Sequence, residues 1–290
     1  MAIKLVALDI DGTLLDSHGN LPTENGCAIK ESIEKGVKVI LVSGRRWSMA
    51  RQVSTALGLN FPVVAHNGAL IRSPIDSHRL ASCFLKPHLA AEILAHSEDH
   101  FSYLVLHRDQ DLKGQTVIHP TCRKNLLMQG YLGQFPEAVM ETESLLPWAD
   151  SDLIQIMFGG ELPAILEVEA MLQSTALAEK VRLTKTYYPH RNLGIIDLLD
   201  TDCSKGTAVE FLARNYGVTR EETLAIGDNY NDLEMLNYAG IGVVVVLPPG
   251  QRIHNATGDS CKPRTCAAPF CDQWPEPACT VRHGPLRSPA

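Results

Sequence analysis

Four short apolar runs constrain this chain more than any other feature. "KLVALD" near the start, "VKVILV" from Val37, "TLAIGD" from Thr223 and "IGVVVV" from Ile241 are too short for helices and rich in aliphatic and β-branched residues. Near-continuous apolar character of this kind belongs to a strand buried on both faces. Helical segments lie between them. Thr23 can cap one that runs to about Lys35 and stops at Gly36, and another runs from about Trp47 to Leu57 and stops at Gly58. "FPVVAHNGAL" reads as a third strand. The resulting β-α-β-α-β order predicts a doubly wound, parallel, Rossmann-like α/β sheet.

The pattern is interrupted and then resumes. "NLGIIDLL" reads as a strand of the same core, "SKGTAVEFLARNY" as a helix closed by Gly217, and "NDLEMLNYA" as a helix closed by Gly240. Between the halves lie other strands ("SYLVLH", "DLIQIMF", "KVRLTKTYY") and helices ("HLAAEILAHS", "LPAILEVEAMLQS"). The expected division is a core of residues 1–82 and 191–246, an inserted α+β domain at 83–190, and an irregular tail at 247–290.

Composition narrows the function classes. The 290 residues carry a formal charge of −7 and no basic run, which argues against nucleic acid or an anionic membrane as partner. No apolar run approaches the ~20 residues of a membrane helix, and "MAIKLVALD" enters a strand at once with no charged leader, so a cytoplasmic protein is expected. Cys27, Cys83, Cys122 and Cys203 read as free, mostly buried thiols. Cys261, Cys266, Cys271 and Cys279 lack zinc-site spacing.

Ligands of open α/β sheets bind beyond the carboxyl ends of the strands. Polar clusters fall at such places: "DIDGT" after the first strand, "SGR" (Ser43 to Arg45) after the second, "SKG" at a helix start, and "GDNYND" (Gly227 to Asp232) after a later strand. Period-two alternation places Asp9 and Asp11 on one side of the first strand. Two carboxylates so close repel unless a cation sits between them or one holds a proton. With Asp228 they offer the hard oxygen ligands that Mg²⁺ prefers. Lys205 adds a positive charge, Ser43 a hydroxyl, and Gly44 a backbone amide, all able to hold phosphate oxygens. Nucleophile, proton carrier, divalent ion and anion cradle together describe a phosphoryl-transfer site. A calcium loop is the rival reading of "DIDGT", but Thr13 and Asn20 stand where that pattern needs acidic or amide ligands and a glutamate.

"DIDGTLLD", "LVSGR", "SKGTAVEFL" and "GDNYNDLEML" resemble, in order, the four motifs of the haloacid dehalogenase superfamily. The last of these, "AHNGAL" and the insertion between the second and third motifs resemble the Cof-type phosphatases with an α+β (type IIB) cap. The resemblance covers about residues 1–246. It implies Asp9 as nucleophile, forming an aspartyl-phosphate, and Asp11 as general acid and base. It implies the Asp9 carboxylate, the Asp11 carbonyl and Asp228 as Mg²⁺ ligands. Asn231 and Asp232 would orient the metal ligands and Lys205. Ser43 stands where threonine is common, and the hydroxyl is kept. The expected substrate is a small phosphorylated metabolite: a sugar phosphate, a nucleotide or a cofactor phosphate. A phosphomutase, a phospho-accepting switch similar to receiver domains, and a ligand-binding protein without turnover are the alternatives.

Arg45, Asn67, His190 and Arg191 are candidate substrate contacts, with Tyr187 and Tyr188 at the return from the insertion. His66, His107 and His119 read as ordinary polar or half-buried residues. After "IGVVVV" the composition breaks: eight of the seventeen prolines and half the cysteines lie in residues 247–290. The resemblance leads one to expect a Gly-Asn-Ala stretch, a strand and a helix there. Codons for Pro249-Gly250-Gln251-Arg252 can spell Leu-Gly-Asn-Ala after loss of one base. The favoured reading is a shifted reading frame, and the alternative is a disordered, redox-sensitive extension.

Overall fold

The structure, a computed structural model, describes residues 2–16, 18–109 and 115–245, so the expectations for the tail lie outside the described residues. In chain order the first elements are β1 (Leu5–Leu8), α1 (Thr23–Glu34), β2 (Lys38–Leu41), α2 (Trp47–Ala56), β3 (Val63–Ala65), β4 (Leu70–Arg72) and β5 (Arg79–Ser82). Next come α3 (Pro87–His96), β6 (Leu104–Arg108), β7 (Gln115–Ile118), α4 (Leu126–Leu132), β8 (Val139–Glu141), β9 (Leu153–Glu161), α5 (Leu162–Gln173), α6 (Leu177–Lys180) and β10 (Arg182–Tyr188). The chain returns through β11 (Leu193–Leu199), α7 (Lys205–Asn215), β12 (Thr223–Gly227), α8 (Leu233–Tyr238) and β13 (Ile241–Val244).

Four of the expected runs pair in one parallel sheet, in the order β13-β12-β1-β2. β1 shows why its sequence is apolar throughout. Leu5 and Ala7 pack with Val209, Leu212 and Met235 of α7 and α8. Leu8 and the following Ile10 pack the other way, with Ile29 of α1 and Trp47 and Ala50 of α2. A strand covered by helices on both faces has no polar side to offer.

Three local expectations change. Thr23 is the first residue of α1 rather than its cap, and no side chain caps that end. "FPVVAHNGAL" is not one strand. It breaks after Ala65, turns through His66–Gly68, and returns antiparallel as β4. Asn67 takes a left-handed conformation (φ 54°) and Gly68 follows at φ 105°, which no extended strand allows. β3 still lies beside the core sheet, because the Ser43 amide donates to the Val64 carbonyl at 2.9 Å. "NLGIIDLL" is a strand, but of the other sheet: β11 pairs antiparallel with β9 and β10. The return to the core therefore falls near Asp200, not at 191. An apolar run states only that a strand is buried, and its partners are set by segments distant in sequence.

The inserted domain is a six-stranded sheet in the order β10-β11-β9-β6-β7-β8. Alternation along its strands assigns the faces. Ile156 and Phe158 of β9 and Ile196 and Leu198 of β11 pack under α3, α5 and α6. Gln155, Met157, Ile195 and Asp197, one residue out of phase, face the core across a cleft. No helix of the described residues is long and apolar enough to cross a membrane.

Candidate active site

The cleft, about 160 Å³, lies between the carboxyl edge of the core sheet and the opposing face of the cap sheet. At its floor is Asp9. Regular strand ends at Leu8, so the period-two argument does not carry through to Asp11, and the two carboxylates part company. Asp9 is buried and takes the Lys205 ammonium at 2.7 Å. Asp11 has a half-exposed side chain and meets Arg45 in a two-point contact, Nε to Oδ2 at 2.8 Å and Nη2 to Oδ1 at 2.6 Å. The repulsion expected between neighbouring acids is relieved by two different cations.

Lys205 opens α7 and is 2% exposed. Ser204 caps that helix through the Thr207 amide, which aims the lysine inward rather than into solvent. Its second contact is Asp232 Oδ1 at 2.6 Å. Burial alone would lower the Lys205 pKa, but the two carboxylates win and hold it above the usual lysine value. The other Asp232 oxygen accepts from the Asp228 and Asn229 amides, both at 3.0 Å. Asp232 is thus fully engaged in holding Lys205 and the loop.

Asp228 is buried and accepts a hydrogen bond from the Thr13 hydroxyl at 2.8 Å. Gly12, at φ 80°, brings the turn directly against it, and a β-carbon there would lie 2.4 Å from Asp228 Oδ2. Burial, then the neighbouring Asp232, push Asp228 up to about 7, and Asp9 is raised well above the carboxylate range by burial and by Asp232. Oxygens of Asp9, Asp228 and Asp232 all lie within 4.8 Å of one another. Three buried carboxylates against one ammonium leave an excess of negative charge, and an all-oxygen donor set suits a hard divalent cation. Asp232 spends both oxygens on Lys205 and the loop amides, so Asp9 and Asp228 are the better candidates to hold such an ion.

Ser43 is buried at the end of β2, and its hydroxyl accepts from the Arg45 amide at 3.1 Å. Gly44 is pressed on Asn67, whose Oδ1 would be 2.9 Å from a β-carbon at that position. Asn67 is buried and joins two domains. It accepts from Asn231 Nδ2 at 2.9 Å and donates to Asp197 of the cap at 2.8 Å. Arg191 is exposed and does not line the cleft, while Tyr188 does and Tyr187 instead donates to Glu169. The His190 side chain is outside the described set.

Several cleft residues carry no motif signal in the sequence: Arg46, Tyr131, Gln155, Thr186 and Asp197. His66, ordinary by sequence, lines the cleft and is pushed down to about 4 by burial, so it is neutral. Gln155 Nε2 donates to Asp197 Oδ1 at 2.5 Å, which turns Gln155 Oε1 toward His66 Nδ1 at 3.0 Å. Nδ1 therefore carries the proton. Only the alternation of "LIQIMF" and "LGIIDLL", each with one polar residue inside an apolar run, hints at Gln155 and Asp197. Of the four early cysteines, all free, Cys122 and Cys203 are buried, Cys83 is half-buried and Cys27 is exposed.

A family model described as haloacid dehalogenase-like hydrolase matches residues 6–246. The HMP-PP phosphatase of Serratia proteamaculans (strain 568) is 26% identical over 243 residues, covering 83% of each chain. A haloacid dehalogenase-like hydrolase from Bacteroides thetaiotaomicron superposes with a TM-score of 0.68 at 24% identity, over 83% of this chain and 88% of that one. The subclass IIB sugar phosphatase BT4131 superposes with a TM-score of 0.64 at 19% identity, over 83% and 86%. With the acid cluster at the carboxyl edge of a parallel sheet and a second α+β domain over it, the chain belongs to the haloacid dehalogenase-like hydrolases.

Proposed function

We propose that the chain is a phosphatase that hydrolyses small phosphorylated metabolites through a phosphoryl group carried on Asp9. The observation that carries this reading is Asp9 itself: a buried carboxylate at the end of β1, held by Lys205 and facing a cleft rich in phosphate-binding groups. An Asp9 oxygen attacks phosphorus and the bond to the leaving oxygen breaks. Water then attacks the acyl phosphate, releasing inorganic phosphate and restoring Asp9. Asp11 supplies the proton to the leaving oxygen and later takes one from water. Arg45 makes a two-point contact with Asp11, and a phosphate is a strong competitor for that guanidinium. Ser43, the Gly44 amide and Lys205 hold the phosphate oxygens.

Asp9, Asp228 and the Asp11 carbonyl would hold Mg²⁺. When bound, that ion neutralises charge on the phosphoryl oxygens and relieves the excess of buried carboxylates. The named activities of the phosphatases similar to this chain support small metabolites as the substrate class. The cap would open to admit substrate and close to exclude bulk water.

The test is steady-state phosphate release from 4-nitrophenyl phosphate and a panel of phosphorylated metabolites with Mg²⁺ present. Asp9→Asn is expected to lose turnover while keeping the circular dichroism of the parent. Turnover by Asp9→Asn equal to that of the parent, with the mass of the variant verified, rules the reading out.

A further inference from the structure

The acidic and basic side chains lining the cleft, the neutral His66 aside, are Asp9, Asp11, Asp197, Arg45 and Arg46. Asp9 is held by Lys205, Asp11 and Arg45 by each other, and Asp197 by the amides of Gln155 and Asn67. Arg46 differs. It is 5% exposed, and among the described residues no carboxylate comes within ion-pair distance of it and no hydrogen bond leaves its guanidinium. Its guanidinium lies over the Phe135 ring, 4.7 Å from the centroid. Stacking occupies the flat face of a guanidinium and leaves the N–H groups at its edge free, in the fork that fits an oxyanion.

Burial is the largest influence on Arg46 and disfavours its charge, with Tyr131 and the exposed Glu137 opposing less strongly. A buried cation without a counter-ion is a costly arrangement that a bound anion relieves. Arg46 also immediately precedes α2, whose N-terminal end adds positive potential of its own. It lies in the same cleft as Asp9, with the apolar side chains of Met49, Met157 and Ile195 also exposed to that space. One ligand can therefore place a phosphoryl group at Asp9, a less polar middle against these side chains, and a second anion at Arg46.

On the phosphatase reading above, on which this rests, we infer that Arg46 binds a second anionic group carried by the leaving group. The preferred substrates are then phosphomonoesters whose alcohol bears a further carboxylate or phosphate. A purely structural role, as a latch between core and cap through Phe135, is what the experiment must separate from this.

The full chain is assayed with three matched series of increasing length: ω-carboxyalkyl monophosphates, alkanediol bisphosphates and ω-hydroxyalkyl monophosphates. The parent is expected to favour one doubly anionic series over the hydroxyl series by about 10- to 100-fold in kcat/KM, carried mainly by KM. The series that wins distinguishes a carboxylate from a second phosphate. Arg46→Met is expected to erase that preference, and Arg46→Lys, which keeps the charge but not the fork, to restore part of it. A latch would affect the three series alike. Equal kcat/KM for all three in the parent, or an unchanged preference in folded Arg46→Met, overturns the assignment and leaves the phosphatase reading standing. If Arg46→Met does not fold, the parent's preference and the Arg46→Lys variant decide. No phosphate release from any series or from 4-nitrophenyl phosphate overturns the phosphatase reading and the assignment together.

Discussion

Lys205→Met strips the ammonium from between two buried carboxylates. Lys205 Nζ lies 2.7 Å from Asp9 and 2.6 Å from Asp232, and all three side chains are almost wholly buried. Methionine approximates the lysine stem, so packing changes little and the loss is electrostatic. Removing one partner of a buried pair costs about 3–5 kcal/mol, because the other charge is left without compensation. Two carboxylates are stranded here, which favours the upper end; proton uptake by Asp9, already raised by burial, limits the loss. For a chain of this size that corresponds to a fall of roughly 6–20 °C in Tm. Lys205 has its pKa raised in the folded state, so its contribution is complete below the unfolded value of about 10.4 and fades only as pH rises through the folded one. A neutral-pH experiment therefore reads the whole effect. The assay is urea unfolding followed by far-UV circular dichroism, with divalent ions removed from both proteins. Adding Asp232→Asn to Lys205→Met is expected to recover about 1–2 kcal/mol, since one stranded charge is gone. A loss below about 1 kcal/mol for Lys205→Met, or two strictly additive losses in the double variant, refutes the account of this cluster.

Three further outcomes are expected. Gly12→Ala places a β-carbon 2.4 Å from Asp228 Oδ2 at φ 80°, and left-handed backbone alone costs about 1–2 kcal/mol; kcat/KM for phosphate release should fall at least about tenfold with Asp228 displaced, and parental activity would contradict the close packing. Asp197 is pushed up to about 7 by burial, against an ordinary value of about 3.9 when unfolded. The native chain then holds a proton that the unfolded chain has lost between those values, so this group's contribution to stability declines as pH rises from about 4 to 7 and levels off above. Asp197→Asn removes the titration, so its stability relative to the parent should improve with pH across that window by at most ~1.4 kcal/mol per pH unit; a constant difference would show that Asp197 stays ionised. Excess chelator is expected to abolish phosphate release, with Mg²⁺ restoring it and Ca²⁺ a poor substitute, because calcium accepts looser geometry and more ligands. Full activity in chelator would remove Asp9 and Asp228 from the role of metal ligands.

What the sequence determined by itself was whatever depends on neighbours along the chain. Apolar runs with polar ends gave away the strands of the parallel sheet, and "DIDGT", "SGR", "SKG" and "GDNYND" each carry their own turn or cap chemistry, so their places at strand ends and helix starts were legible. Even there, short-range patterns have limits: alternation does not hold past Leu8, where β1 ends, and "FPVVAHNGAL" contains a turn that reverses the chain. Only the tertiary structure decided which sheet receives Leu193–Leu199: besides the neighbouring β10 it takes β9, more than 30 residues back, as partner, and a buried strand looks the same in either sheet. It alone separated Asp11 from Asp9 by giving each a different cation, Arg45 and Lys205. Arg46 is the sharpest case. Beside "SGR" it reads as one more solvated arginine, and only burial against Phe135 of the cap leaves its guanidinium at the cleft with no carboxylate partner among the described residues.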